Sequence, residues 1–295
     1  MKQFEKLIYV NSRNEQLIFA PVGSKYHVNV QKDVIGLSDL TDTIYSSSSM
    51  GQHGDTFTGV RIEPRTIKIT GKLKEPNKTS YIQLRQKAEK ILNPELAGTL
   101  FYSYGTFTRK IGAIVDNAPV FMHPDTSQEF EIDFLCLDPF WQEETEAKED
   151  IASWIGDWEF PCEIDHETGM EFGHREESVI VDIYNGGHVS TGMRIKFSAL
   201  GELTNPSLFN VNTREFIKVN YDMKAGDQVV IDTSYGRKTV ILIHNGTKTN
   251  IYRYIDVDST FVQLDIGDNL FRYDADTGLD NLECTVYYSE KYLGV

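Results

Sequence analysis

The sequence predicts a mainly β protein of two domains, and three observations carry that reading. Tyr and Phe together number 31, beside 22 Gly and only 9 Pro, a balance that suits pleated, half-buried strands joined by tight turns. Short segments of alternating polarity recur along the chain with turn residues between them, and one segment alone has convincing helical periodicity. With 295 residues, 40% hydrophobic and 25% charged, the chain is long enough for two globular cores.

The first domain is expected over residues 1–141. It opens with two apolar runs, Phe4–Val10 and Gln16–Ala20, separated by Asn11-Ser-Arg-Asn14, the pattern of a β-hairpin. Tyr26, Val28 and Val30 alternate with polar neighbours in a third run. Residues 46–55, Ser-Ser-Ser-Ser-Met-Gly-Gln-His-Gly-Asp, are polar and aperiodic, and read as a mobile loop or an arm that orders on contact. From Thr66, Ile67, Ile69 and Leu73 share one strand face opposite Lys68, Thr70 and Lys72. Residues 79–92 form the helix, capped by Thr79 or Ser80, with Ile82, Leu84, Ala88, Ile91 and Leu92 as its buried stripe. Asn93-Pro94 ends it, because a residue before proline avoids helical geometry. Strands are expected near 99–104, 107–115, 119–123 and 130–136, and Asp138-Pro-Phe-Trp141 closes the domain.

Residues 142–158 read as an acidic linker. Gln142–Asp150 carries five acidic residues against Lys148, and Ile151, Trp154, Ile155 and Trp158 then fall at helical spacing, as in a short helix or loop packing between domains. The second domain, 159–295, shows nine strand-like segments between Val179 and Tyr288, among them Thr260–Asp265. Asn185-Gly-Gly187, Asn212-Thr213, Tyr235-Gly236, Asn245-Gly246 and Asp276-Thr-Gly278 supply the turns. Short strands at this spacing without a helix indicate an antiparallel sandwich of jelly-roll type.

Charge and motifs narrow the function. The net charge of −15 is concentrated: residues 1–141 balance at 16 basic and 16 acidic, whereas 142–182 hold 2 basic and 14 acidic. With no basic stripe, sequence-specific or tight nucleic-acid binding is not expected. The N-terminal segment MKQFEKLIYVN has no apolar run of signal-peptide length, and no stretch approaches a membrane span, so synthesis in the cytosol and no membrane partner are expected. Nucleophile elbow, P-loop, dinucleotide fingerprint and metalloprotease motifs are missing from the sequence, so no enzyme, no catalytic residue and no cofactor is expected. Cys136 and Cys284 read as small buried hydrophobes. Cys162, Asp165, His166 and His174 are the best metal candidates, but their spacing matches no standard zinc pattern, and no metal site is assigned. A carbohydrate-binding module is the alternative reading. Tyr235, Tyr252, Tyr254 and Tyr273 are its candidate platforms, Asn250 and Arg253 its nearest planar polar groups, and its site residues are unassigned.

Read in order, the chain resembles the distal tail protein (Dit) family of long-tailed siphophages. The resemblance rests on Arg65-Thr-Ile-Lys-Ile-Thr-Gly71, the helix ending Ile91-Leu-Asn-Pro94, Leu100-Phe-Tyr-Ser-Tyr104 and Phe134-Leu-Cys-Leu-Asp-Pro-Phe-Trp141. In the second domain it rests on Asn185-Gly-Gly187, Asn205-Pro206, Asn212-Thr213, Gly226-Asp-Gln-Val-Val-Ile-Asp232 and Gly267-Asp-Asn-Leu270. The resemblance implies an N-terminal β domain with one helix and a protruding hairpin, then a galectin-like sandwich. It implies a hexameric ring at the distal tip of the virion tail, N-terminal domains inward, through whose lumen DNA passes. Its implied partners are other copies of itself, the major tail tube protein, a tail-associated hub or fibre protein and receptor-binding proteins. Unpaired sheet edges of the first domain are the expected ring surfaces.

Overall fold

The computed structural model describes residues 4–24, 26, 28–119, 127–151, 154–155, 174–175 and 180–295. The chain divides into two compact units, Met1–Glu144 with Lys291–Val295, and Thr145–Glu290.

The first unit is a closed barrel. Its strands are β1 (Lys6–Asn11), β2 (Gln16–Pro21), β3 (Val28–Val30), β4 (Asp42–Ser47), β5 (Thr56–Ile62) and β6 (Arg65–Lys74). After the helix α1 (Lys78–Ile91) come β7 (Gly98–Tyr104), β8 (Phe107–Asn117), β9 (Ser127–Cys136) and β10 (Trp141–Glu143). Seven of these pair in the order β1-β2-β3-β6-β9-β8-β7 and back to β1. Only the β2–β3 contact is parallel. Closure leaves no free edge in the barrel itself, so the sheet edges left in this unit among the described residues are those of the β4–β5 hairpin and of the extension through β10. Inward alternation fills the barrel with Leu7, Tyr9, Phe19, Ile67, Ile69, Leu100, Ile132 and Phe134.

The helix lies within a residue of its expected span, but its cap differs. Asn77 Oδ1 accepts from Ser80 N at 2.8 Å, so the capping side chain sits before Thr79 and Ser80. Tyr81 opens the buried stripe, followed by Ala88, Ile91 and Leu92, while Ile82 is only half-buried. An aromatic body with a polar tip fits here because the Tyr81 hydroxyl meets Gln128 Oε1 at 3.1 Å. Strands at 99–104, 107–115 and 130–136 stand where alternation places them. The expected strand at 119–123 lies outside the described residues beyond Pro119.

The last residues of the chain, expected in the second domain, group with this unit. Lys291–Tyr292 pairs with β10, Trp141 opposite Tyr292. Buried Arg65 donates to the carbonyls of Gly36 at 3.1 Å and Leu37 at 2.6 Å, and also to that of Leu293. Arg109 donates to Gly294 O at 2.9 Å, and its guanidinium lies 3.2 Å from the Tyr292 ring centre. Guanidinium groups satisfy several carbonyls at once in a fixed fork, so these two arginines fasten the terminal segment to the barrel.

The second unit begins inside the expected linker. β11 (Ala147–Asp150) pairs with the strand near the chain end, and β12 (Trp154–Ile155) pairs with β13 (His174–Arg175) rather than forming a helical turn. The acidic run is extended because its charges find partners from this edge position: Glu146 meets Arg194 and Lys148 meets Asp150, each at 2.5 Å, and Thr285 Oγ1 donates to Asp150. Residues 152–153, 156–173 and 176–179, with Cys162, Asp165 and His166 among them, fall outside the described residues, as do the side chains of Trp154, Ile155 and His174.

Further strands are β14 (Ile180–Asn185), β15 (Met193–Ala199), β16 (Leu203–Thr204), β17 (Ser207–Asn210), β18 (Phe216–Lys218) and β19 (Asp222–Met223). β20 (Gln228–Asp232), β21 (Thr239–His244), β22 (Thr247–Asn250), β23 (Gly267–Asp274) and β24 (Leu282–Tyr288) complete the set. With β11 they form a six-stranded sheet, β11-β24-β15-β20-β21-β22, a four-stranded sheet, β14-β23-β17-β18, and the separate pair β16-β19. Their inner faces share one core, including Phe197, Val229, Ile231 and Val286 from the first and Ile183, Leu208, Ile217 and Phe271 from the second. This is the expected β-sandwich. Thr260–Asp265 is not a strand. Val262 and Leu264 are buried as their alternation requires, but the segment makes a single bridge, Thr191 to Leu264. Alternation reports burial, not a hydrogen-bond ladder.

Asparagines build the turns that mark this domain. Asn185 Oδ1 accepts from Gly187 N, and its amide donates to Val189 O and Leu264 O. Asn210 Oδ1 accepts from the backbone of Asn212 and Thr213, and Asn269 bridges Asp265 N, Asp265 O and Ile183 O. Most buried polar side chains are satisfied in this way, while Asn210 Nδ2 is buried without a hydrogen-bond partner. Asn245 and Gly246, both at positive φ, turn β21 into β22.

Candidate functional sites

Two surfaces of the chain combine exposure with organised chemistry. The first is the hairpin β4–β5. It is a two-stranded sheet of its own, and every residue of β4 is exposed. The expected polar loop is its tip: Ser46 and Ser47 already belong to β4, and the turn spans the residues up to Asp55. Ile44 stands opposite Val60 and Ser46 opposite Phe57, with a register shift after Tyr45. Pairing at every second residue of β4 puts Ile44, Val60 and Phe57 on one face. They are 65%, 55% and 66% exposed. An isolated hairpin is marginally stable in water, and an apolar row at such exposure marks a contact surface. Periodicity does not reveal these strands, because no buried face gives them an alternation signal; the family resemblance alone implies a protruding hairpin. Turn residues flanked by Asp42–Tyr45 and Phe57–Ile62 were the available hairpin cue.

The second surface is a groove of about 560 Å³ in the second unit, where β21, β22 and the 3-10 turn Tyr252–Tyr254 meet. Leu242 and Ile251 are its buried apolar members. Asp227, also buried, accepts from Lys224 N through Oδ2 at 2.9 Å and holds His244 Nδ1 through Oδ1 at 2.5 Å. Tyr221 and Tyr254 pack edge to face, 5.4 Å apart and inclined at 73°. Nothing in the 17-residue separation of Asp227 and His244 announced their pairing, which strand register alone creates.

The four candidate tyrosine platforms separate. Tyr254 lines the groove. Tyr252 lies outside its lining, stacked on Phe261 at 5.8 Å. Tyr235 is 76% exposed, with the Lys238 ammonium 5.6 Å from its ring. Tyr273 is a core residue, 2% exposed, and is removed from the candidates. Asn250 and Arg253, near neighbours in sequence, both line the groove.

Other candidate chemistry is structural. Cys136 is buried and its thiol is pushed up to about 12 by desolvation, and burial raises Cys284 as well. Such thiols are poor nucleophiles because the thiolate is the reactive form. Among the described residues no group of three or more His, Cys, Asp or Glu is arranged to hold a metal, and no helix is long and apolar enough to cross a membrane.

Comparison with known proteins is consistent across the chain. Residues 23–136 match the phage tail protein RIFT-related domain family, and residues 186–292 match the siphovirus-type tail component, C-terminal domain family. Among solved structures, the fold is similar to the Dit protein of phage SPP1, described as a hub of the adsorption apparatus in phages infecting Gram-positive bacteria. That match has a TM-score of 0.66 at 14% identity and covers 97% of this chain and 98% of that one. It is also similar to a chain of the phage p2 baseplate in its activated conformation, with a TM-score of 0.58 at 12% identity, covering 98% and 99%. The strontium and calcium forms of that baseplate match alike, the latter with a TM-score of 0.57. No curated protein matches in sequence. Tail-component models over both units, the barrel and sandwich, and the sequence marks agree: the chain belongs to the siphophage distal tail protein family.

Proposed function

We propose that six copies of this chain close into a ring at the distal end of a long non-contractile tail. The first unit faces inward, and the ring joins the tail tube protein above to the tail-tip hub or fibre protein below. The observation that carries this reading is the apolar face of the β4–β5 hairpin, exposed in the single chain and paired with no other strand among the described residues. A closed ring needs a head-to-tail contact in which a projecting element of one copy meets a different surface of the next, and the hairpin has that character. The balanced charge of residues 1–141 suits a lumen that passes DNA without holding it. The sandwich, at the periphery, is free to carry receptor-binding proteins. Assembly takes place in the host cytoplasm before the ring enters the virion.

Light scattering over a range of concentrations, with negative-stain images of the same samples, tests the reading. The expected species is about six times 33.6 kDa, near 200 kDa, with a central hole. A chain that stays monomeric at every concentration, and also in the presence of tube and hub proteins, refutes it.

A further inference from the structure

We propose that the groove of the second unit binds a short neutral oligosaccharide. The site goes beyond the ring reading and does not depend on it.

One face of the six-stranded sheet changes character towards its edge. Val229, Leu242 and Thr249 stand in register across β20, β21 and β22. Val229 is fully buried and Leu242 nearly so, but Thr249 is exposed. One strand position further, His244 faces Thr247, and both are exposed. The face that forms the sandwich core therefore continues, at the edge strand, as a row of hydroxyl and imidazole groups open to solvent. Edge protection alone requires polar groups along the strand. It does not require a buried carboxylate whose second oxygen fixes the imidazole beside it, as Asp227 does for His244.

The remaining lining supplies planar polar groups for the hydroxyls of a pyranose ring, beside the half-buried rings of Tyr221 and Tyr254. Asn250 Oδ1 accepts from Tyr252 N at 2.9 Å, which fixes the amide group. Arg253 donates to the Tyr254 hydroxyl at 2.8 Å, with its guanidinium 4.7 Å from the centre of that ring, and Tyr221 packs edge to face with Tyr254. These side chains are held before any ligand arrives, which lowers the entropy lost on binding. The volume is that of ordinary small-molecule sites, which span roughly 300–1,000 Å³, and takes about two or three sugar rings. The carboxylates of Asp222 and Asp227 offset the cations of Lys224 and Arg253, so the groove offers no net field to select a phosphate-bearing polymer. That balance favours the neutral sugar.

The test places the full-length protein on an array of neutral and anionic bacterial-surface glycans, with a glycerol-phosphate polymer among the latter. The expected result is retention by neutral oligosaccharides, weakened roughly tenfold or more in the double variant Asn250→Ala, Arg253→Ala. Both residues are exposed, so the melting temperature should hold, and ring formation should be unchanged. Thr249→Phe, which fills the groove, should abolish retention by a different route. No bound glycan, binding restricted to anionic glycans, or neutral binding that both variants leave intact each overturns the proposal.

Discussion

Replacing Phe57 by alanine separates the hairpin's role in assembly from any role in the fold. The side chain is 66% exposed in the single chain, so its removal should change monomer stability by no more than ~0.5 kcal/mol. If a neighbouring copy covers it, roughly 120 Å² of apolar surface is lost from each contact. At about 25 cal/mol per Å² that weakens each interface by about 3 kcal/mol, or on the order of 100-fold in its association constant. Because a ring repeats the contact at every interface, the assembled species should give way to monomer over the accessible concentration range. Sedimentation velocity of wild type and Phe57→Ala at matched concentrations, beside thermal melts of both, measures the two effects independently. Rings that form at unchanged concentration would refute the assignment of the hairpin to the interface. A large loss of monomer stability would show instead that the hairpin packs within its own chain.

Shortening the hairpin by deleting Ser47–Gly54 should weaken ring formation while leaving a folded monomer, read by light scattering and far-UV circular dichroism. Arg65→Leu strands three backbone carbonyls that now share one guanidinium. It should cost about 3 kcal/mol or more, measured as a shift of the urea midpoint. Cys136 and Cys284 should resist iodoacetamide at pH 8 until the protein is unfolded, as read by peptide mass spectrometry. Burial raises the Cys136 thiol from 9.0 to about 12, so the native state holds its proton more tightly than the unfolded chain. That contribution to stability is complete below pH 9 and is lost as pH rises towards 12, so the urea midpoint should fall across that window.

The elements legible in the sequence are those whose residues report burial. Thr66–Leu73 alternates because one face of β6 packs into the barrel, and the helix shows because Ala88, Ile91 and Leu92 recur on the side that packs. Asn185 and Asn212 were legible as turn formers, and the structure adds the backbone groups each one satisfies. The strands of the β4–β5 hairpin escaped because neither has a buried face. Lys291–Tyr292 escaped because two residues carry no period, and its place beside Trp141 follows from pairing across 150 positions. The acidic stretch misled for a related reason. Composition describes its solvation but not the arginine and threonine that strand pairing brings to Glu146 and Asp150.

The sequence by itself determined the mainly β class, the helix, the presence of a sandwich and the tail-protein resemblance, because local periodicity and turn chemistry are written in consecutive residues. Tertiary structure decided that the barrel closes and so has no free edge, that the apolar hairpin face stays uncovered, and that Asp227 and His244 meet beside Thr249 and Arg253. Each of those depends on which strands lie side by side and in what register. A shift of one residue exchanges the two faces of a strand, so the identity of a surface is settled only when the sheets are assembled.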